Sequence, residues 1–245
     1  MLLPLQGESH GGIHPKHLNF QSYSPWSLAE DLGLLEPDLE AVDLPLRRQL
    51  EIRNRRIEYV YFIDSGFASV VANGAGDRQI EVGLIGREGM TGLALMMGVD
   101  RTPNETYMQL GGSGRRIKAN IFVRAIGQSM TLHRSFLLFA HTLVVQTSHT
   151  AMANGRSKIE DRAARWLLMA HDRADGDALP LTHEFLALML GTQRPGVTIA
   201  LNHLERQGFI RAHRGVVTII DRKALEKSSN GTYGGPEAEL KRLFI

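Results

Sequence analysis

A chain of 245 residues, with 28 Lys+Arg against 26 Asp+Glu and a formal net charge of +2, has room for two domains with separate cores. It holds no cysteine, which excludes disulfides, thiolate catalysis and cysteine-held zinc or iron–sulfur sites. No run of about eighteen apolar residues occurs, so no membrane span is expected. The chain starts without basic residues, and its first apolar run stops at Pro4, too short for a signal peptide. Residues 1–20 therefore read as a flexible tail and the compartment as the cytoplasm. His10, His14 and His17 lie in that tail, where their spacing supports no more than adventitious metal binding.

From residue 57 to residue 110 the pattern is one of short strands punctuated by glycine. Residues 58–63 form a strand candidate, followed by the turn signature Asp64-Ser65-Gly66 and a second strand over 67–72. Asn73-Gly74 turns the chain, 79–85 is a further strand, and Gly86-Arg87-Glu88-Gly89 turns it again. Residues 106–110 and 115–118 flank Gly111-Gly112-Ser113-Gly114. That loop lacks the Gly-Lys-Ser/Thr ending of a phosphate cradle, so a hairpin turn is expected there. Strands this short and this closely spaced argue a β sandwich or jelly-roll barrel, assigned to residues 21–127.

A long helix is predicted over residues 131–154, within a segment bounded at 128–154. Leu132, Phe136, Phe139 and Leu143 follow an a/d spacing, which makes them the expected dimerisation residues. Leu138, Val145 and Met152 recur every seven residues on another side. One apolar face would cover the barrel and the other would meet a second copy of the chain; a single-chain core helix is the competing reading. Polar Gln146, Ser148 and Thr150 face a ligand or the partner. Asn154-Gly155 is read as a break and a hinge, with Ser157-Lys158-Ile159-Glu160 as a capping box for the next helix.

Residues 181–220 hold the densest set of local signals. Thr182 is placed as an N-cap, Glu184 suits the first turn, and Leu181 with Leu186 can close a hydrophobic staple. Gly191 ends this helix, a second starts around Gln193 with Pro195 in its first turn, and Gly208 stops it. Val197, Leu201 and Leu204 form its buried stripe, while Arg194, Thr198 and Asn202 face solvent one turn apart. Residues 209–211 and 216–220 read as strands around a turn at His213-Arg214-Gly215. A helix pair of this kind also occurs in bundles that bind nothing. The basic hairpin beside it favours a helix in a DNA major groove and a wing on the phosphates. Residues 155–245 carry 14 Lys+Arg against 11 Asp+Glu, and residues 1–154 carry 14 against 15, an asymmetry in the same direction. The winged helix–turn–helix is assigned to residues 155–228, and residues 229–245 to a C-terminal extension.

This order of parts resembles the cyclic-AMP receptor protein/Fnr (Crp/Fnr) family of bacterial transcription regulators. The residues that carry the resemblance are Tyr61-Phe62-Ile63 with Gly66, the run from Ser157 to Ala163, Gly191 through Arg194, then Val197, Leu204 and Gly208-Phe209-Ile210. The likeness spans roughly residues 59–226. It implies an α+β fold: a cyclic-nucleotide-binding-like jelly-roll sensor domain, a long dimerisation helix and a C-terminal winged helix–turn–helix. It also implies a homodimer on a near-palindromic double-stranded DNA operator, with RNA polymerase as a further partner. Thr182, Gln193, Arg194, Thr198, Asn202 and Arg214 would then be the DNA contacts.

The sensor half departs from the family. Cyclic-nucleotide binders carry a Gly-Glu pair and a later Arg-Ser or Arg-Thr pair, whereas here Gly92 precedes Leu93 and the later pair falls near Pro103-Asn104. A phosphate buried without its arginine is poorly compensated, so the effector is expected to be a small molecule other than cyclic AMP, and no cofactor is expected. The effector-side candidates are Gly92, Arg101 and Asn104 with Gln146 and Thr150. Pro195 and Ile199 stand where the family carries reading residues, so the operator should differ from that of the cyclic-AMP receptor protein. A small-molecule sensor with vestigial DNA binding is the alternative. An enzyme has little support, because His133, His141 and His149 precess around their helix and no Gly-x-Ser-x-Gly, Walker-type or His-Glu-x-x-His motif is present; neither catalytic nor metal-binding residues are assigned.

Overall fold

The structure is a computed structural model that describes residues 32–76 and 78–244. The tail over residues 1–20 and its three histidines lie outside the described residues. After two 3-10 turns, strands β1 (Glu40–Leu44), β2 (Gln49–Glu51), β3 (Tyr59–Ile63), β4 (Phe67–Asn73) and β5 (Gln79–Ile85) lead into a short helix α1 (Leu93–Met96). Strands β6 (Glu105–Leu110) and β7 (Gly112–Lys118) follow. They form two antiparallel sheets, ordered β1-β7-β3 and β2-β6-β4-β5. Leu44, Val60 and Ile63 from one sheet and Ala68, Ile85 and Met108 from the other share one core, the sandwich the strand spacing predicts.

The glycine stretch after β6 is not a hairpin turn. Gly111 alone separates β6 from β7, and these strands belong to different sheets, so the chain changes sheet there. Gly112 and Gly114 lie within β7, where a Cβ would collide with the backbone carbonyls of Ser65 and Phe62. Their role is close approach of strands. Strands β1 and β2 went unread because β1 exposes two charges and buries only Leu44, while β2 has three residues.

Helix α2 (Ala119–Gln128) buries Phe122, Ala125 and Ile126, an i, i+3, i+4 stripe, against the barrel. Helix α3 (Met130–Arg156) starts at the Ser129 cap, whose hydroxyl accepts from the Leu132 amide at 3.0 Å. It runs through Asn154-Gly155 and ends where Ser157 and Lys158 turn extended, so the expected break lies three residues too early. Lys158 is the N-cap of α4 (Ile159–His171) and makes no side-chain cap bond; the expected capping box does not form.

The facing of α3 also differs from expectation. Leu132, Phe136 and Phe139 are buried in the barrel's own core, and Leu143 packs half-buried against it. The outward apolar side chains include Met130 at the first turn, then Leu137, Val144 and Met152, with Val144 58% exposed. The a/d line is therefore intramolecular. A second apolar line on the opposite side made the register ambiguous in sequence.

The remaining elements are β8 (Ala178–Pro180), α5 (His183–Met189), α6 (Arg194–Arg206), β9 (Ile210–His213), β10 (Val216–Ile219), α7 (Arg222–Ser228) and α8 (Gly235–Phe244). The three strands form a sheet ordered β8-β10-β9, and a second core gathers Trp166, Leu167, Leu186, Val197, Leu201 and Leu204. Helix α8, within the segment read only as an extension, returns to the first domain. It packs along α3 and inserts Leu240 and Phe244 into the barrel core.

Candidate nucleic-acid interface

The helix–turn–helix forms where its local signals place it. The Thr182 hydroxyl accepts from the Phe185 amide at 3.2 Å, capping α5, and Leu181 and Leu186 are both buried behind it. Gly191 takes a left-handed φ of +55°, and a Cβ there would also press on Ile80 of β5 at 2.6 Å. Helix α6 begins after its N-cap, Gln193, with Pro195 in the first turn. Val197, Ala200, Leu201 and Leu204 are buried, so the other face of α6 is turned to solvent.

That face carries exposed Arg194 and Asn202, together with Ile199, which is 62% exposed. Thr198 is half-buried and engaged: its hydroxyl donates to the Arg194 carbonyl at 3.1 Å and lies 2.9 Å from His183 Nδ1. A hydroxyl has one proton, so with the Arg194 carbonyl receiving it Thr198 accepts from His183 Nδ1–H. His183 was not singled out from sequence, because its contact to Thr198 joins two helices and leaves no periodic trace.

Strands β9 and β10 pair through Val216 and His213, and the turn between them places Arg214 at φ +46° and Gly215 at φ +77°. Two consecutive positive φ values are the geometry of a tight two-residue hairpin loop. The hairpin presents Arg211 and His213 of β9 and Arg214 of the loop to solvent. Gly215 O accepts from Leu181 N at 2.7 Å, and Glu205 of α6 accepts from Ala212 N at 2.9 Å. The wing is thus tied to the start of α5 and to α6. Gln193, Arg194, Asn202, Arg214 and Thr182 are each exposed, and Thr182 also borders the groove between the barrel and α5.

The effector-side residues do not gather into a site of this kind. Gly92 caps α1 with a left-handed φ of +83°, and its amide donates to Glu51 at 2.9 Å. Arg101 is exposed and paired with Asp100 at 3.0 Å, and the Asn104 amide bonds the Thr102 hydroxyl at 3.2 Å. Gln146 is buried and spends both ends of its amide on Leu84 of β5, accepting from N at 2.6 Å and donating to O at 3.3 Å. The Thr150 hydroxyl donates to the Gln146 carbonyl at 2.9 Å. Gln146 therefore fastens α3 to the barrel wall.

Between the two cores lies a set of buried polar contacts. Glu81 on β5 accepts from the Trp166 indole at 2.6 Å and from the Ser69 hydroxyl at 2.5 Å. Burial pushes its carboxyl up to about 7, an effect larger than the opposing pull of those two donors, Arg165 and Arg173. Arg173, just beyond α4, pairs with Glu88 of the barrel at 2.7 Å, with side chains only 3% and 2% exposed. Among the described residues no group of three or more His, Asp or Glu side chains is placed to hold a metal ion, and no helix is long and apolar enough to cross a membrane.

Residues 161–228 match the Crp-like helix–turn–helix domain. No curated protein matches the chain. Among solved structures, a crp/fnr-family transcriptional regulator of Eubacterium rectale superposes with a TM-score of 0.67 at 19% identity, covering 82% of this chain and 94% of its own. FixK2 of Bradyrhizobium japonicum gives 0.64 at 16% identity, with 77% and 96% covered. The c-di-GMP responsive global regulator CLP of Xanthomonas campestris gives 0.62 at 17%, with 78% and 98% covered. The chain thus has the fold of the Crp/Fnr regulators, built on a cyclic-nucleotide-binding-like barrel, and its residues 161–228 are a Crp-like helix–turn–helix domain.

Proposed function

We propose that the protein is a Crp/Fnr-type transcription regulator that works in the cytoplasm as a homodimer on a near-palindromic operator, with RNA polymerase as a further partner. The outward face of α6, flanked by the basic tip of the wing, is the observation that carries this reading. Arg194 is assigned to a guanine edge, Asn202 to a neighbouring base and Ile199 to a thymine methyl. Gln193, Thr182 and Arg214 steady the phosphates. Thr198 acts chiefly by holding His183 against the same surface. The effector is a small molecule other than cyclic AMP, since the barrel lacks the expected phosphate-binding pair and Gln146 is committed to Leu84.

Losing one bidentate base contact costs about 1–3 kcal/mol of discrimination, so Arg194→Ala should bind operator and scrambled duplex almost alike while keeping its fold and oligomeric state. Fluorescence anisotropy against both duplexes over a salt series measures this. Undiminished preference for the operator would remove Arg194 from base reading.

A further inference from the structure

The sheet β2-β6-β4-β5 presents its outer face to the DNA-binding domain, but the cover is incomplete. Phe67 and Val71 of β4 are buried in the second core. Towards β2 the two domains diverge and leave an open groove of about 810 Å³ between the barrel and α5. That volume lies in the range of small-molecule sites.

Alternation along β6 aims Glu105, Tyr107 and Gln109 into the groove, while Thr106 and Met108 point the other way. Gln109 is only 4% exposed, and among the described residues its side-chain amide makes no hydrogen bond, which leaves it to whatever enters the groove. With a carbonyl that accepts and an NH2 that donates, that amide can meet either kind of polar edge on a ligand. Phe185 from α5 forms part of the opposite wall, and exposed Arg47 and Arg48 stand at the rim with no carboxylate partner among the described residues. Glu105 is the one acid in the lining. Arg47 holds a left-handed φ of +66°, a conformation in which a side chain other than glycine is uncommon.

We infer that this groove is a binding site for a small organic anion with a flat aromatic body and a hydrogen-bonding edge. The ring lies between Tyr107 and Phe185, the Gln109 amide and Glu105 take the polar edge, and Arg47 and Arg48 take the carboxylate or phosphate. Such a ligand touches the barrel and α5 at once, so its occupancy is felt where the DNA-reading unit is held. Its role as the effector rests on the regulator reading above.

Calorimetric titration of the full chain, without DNA, tests the site with 2-naphthoate for a carboxylate head and adenosine 5′-monophosphate for a phosphate head. Binding of either probe supports the proposal and identifies the head group. So does binding of 2-naphthoate about tenfold tighter than that of neutral 2-naphthamide, with affinity dropping about tenfold in Arg47→Gln/Arg48→Gln and in Gln109→Ala. The two arginines are exposed, so their replacement leaves the fold intact even if the Gln109 variant is unstable. Failure of both anions to bind below about 10 mM, or affinity indifferent to the arginine pair, overturns it. Weaker DNA binding by the arginine variant with no probe binding assigns those side chains to the duplex backbone and also overturns it. Operator affinity measured with and without saturating probe decides the effector role: a change supports it and constancy ends it. A protein that takes a probe but no operator keeps the groove and loses the regulator reading.

Discussion

Glu81 is a carboxylic acid placed beyond the reach of water, between a serine hydroxyl and the indole of the other domain. With its carboxyl at about 7 when folded against 4.5 ordinarily, the native state binds more protons than the unfolded state between those values. Stability therefore falls as pH rises from about 4.5 to 7, by roughly 3 kcal/mol from this group, and levels off above. Glu81→Gln keeps an acceptor for Trp166 and gives Ser69 a donor. It should remove most of that decline and be the more stable protein at pH 8, as urea midpoints across pH 5–8 would show; an unchanged slope assigns the pH dependence elsewhere. None of this was legible in the sequence, where Glu81 is one polar residue in an alternating strand and Trp166 lies 85 positions away. By contrast, Arg194 and Asn202 were legible, because a helix with three buried leucine and valine positions fixes which residues face out.

Elements proved readable where each end has its own signal. Helices α5 and α6 are bounded by Thr182, Gly191, Pro195 and Gly208, residues whose backbone or side-chain chemistry suits one position each. Helix α3 has no such constraint on its rotation. Apolar residues on two sides let the sequence assign the inner line, Leu132 with Phe136 and Phe139, to a partner that the barrel itself replaces. For the homodimer proposed above we assign the seam instead to Leu137, Val144 and Met152, exposed apolar side chains of the outer face of α3. A carboxylate in an apolar seam is desolvated without a counter-charge, so Val144→Glu should shift the protein to monomer in sedimentation equilibrium with its melting temperature little changed. Leu132→Ala should do the reverse, costing about 2–5 kcal/mol of stability through a core cavity while association is kept. Monomers from the second variant and dimers from the first would return the seam to the inner line.

Across the whole molecule, the two domains are joined by more than the α3–α4 connection. Arg173–Glu88, Glu81–Trp166 and the bond from Arg165 Nε to the Thr232 carbonyl at 2.9 Å all cross between parts that the sequence treated as separate. Arg162 likewise reaches back to Asn154 at 3.1 Å, bracing the point where a free hinge was expected. Removing one partner of a buried ion pair leaves the other charge uncompensated, at about 3–5 kcal/mol. Glu88→Ala should therefore lower the melting temperature and split a single calorimetric transition into two as the domains uncouple. A single transition at the parental temperature would mean the pair contributes little. The sequence could not show these links, because each joins residues whose separation in the chain carries no period.

Helix α8 completes the barrel core from the far side of the DNA-binding domain, and this sets an order of events during synthesis. Residues 161–228 leave the ribosome before residues 235–244, so the module made first must wait with an unfilled seam for Leu240 and Phe244. Nascent chains stalled after residue 230 should thus offer proteases a soft front half beside an already resistant winged helix, the opposite of the usual head-first maturation.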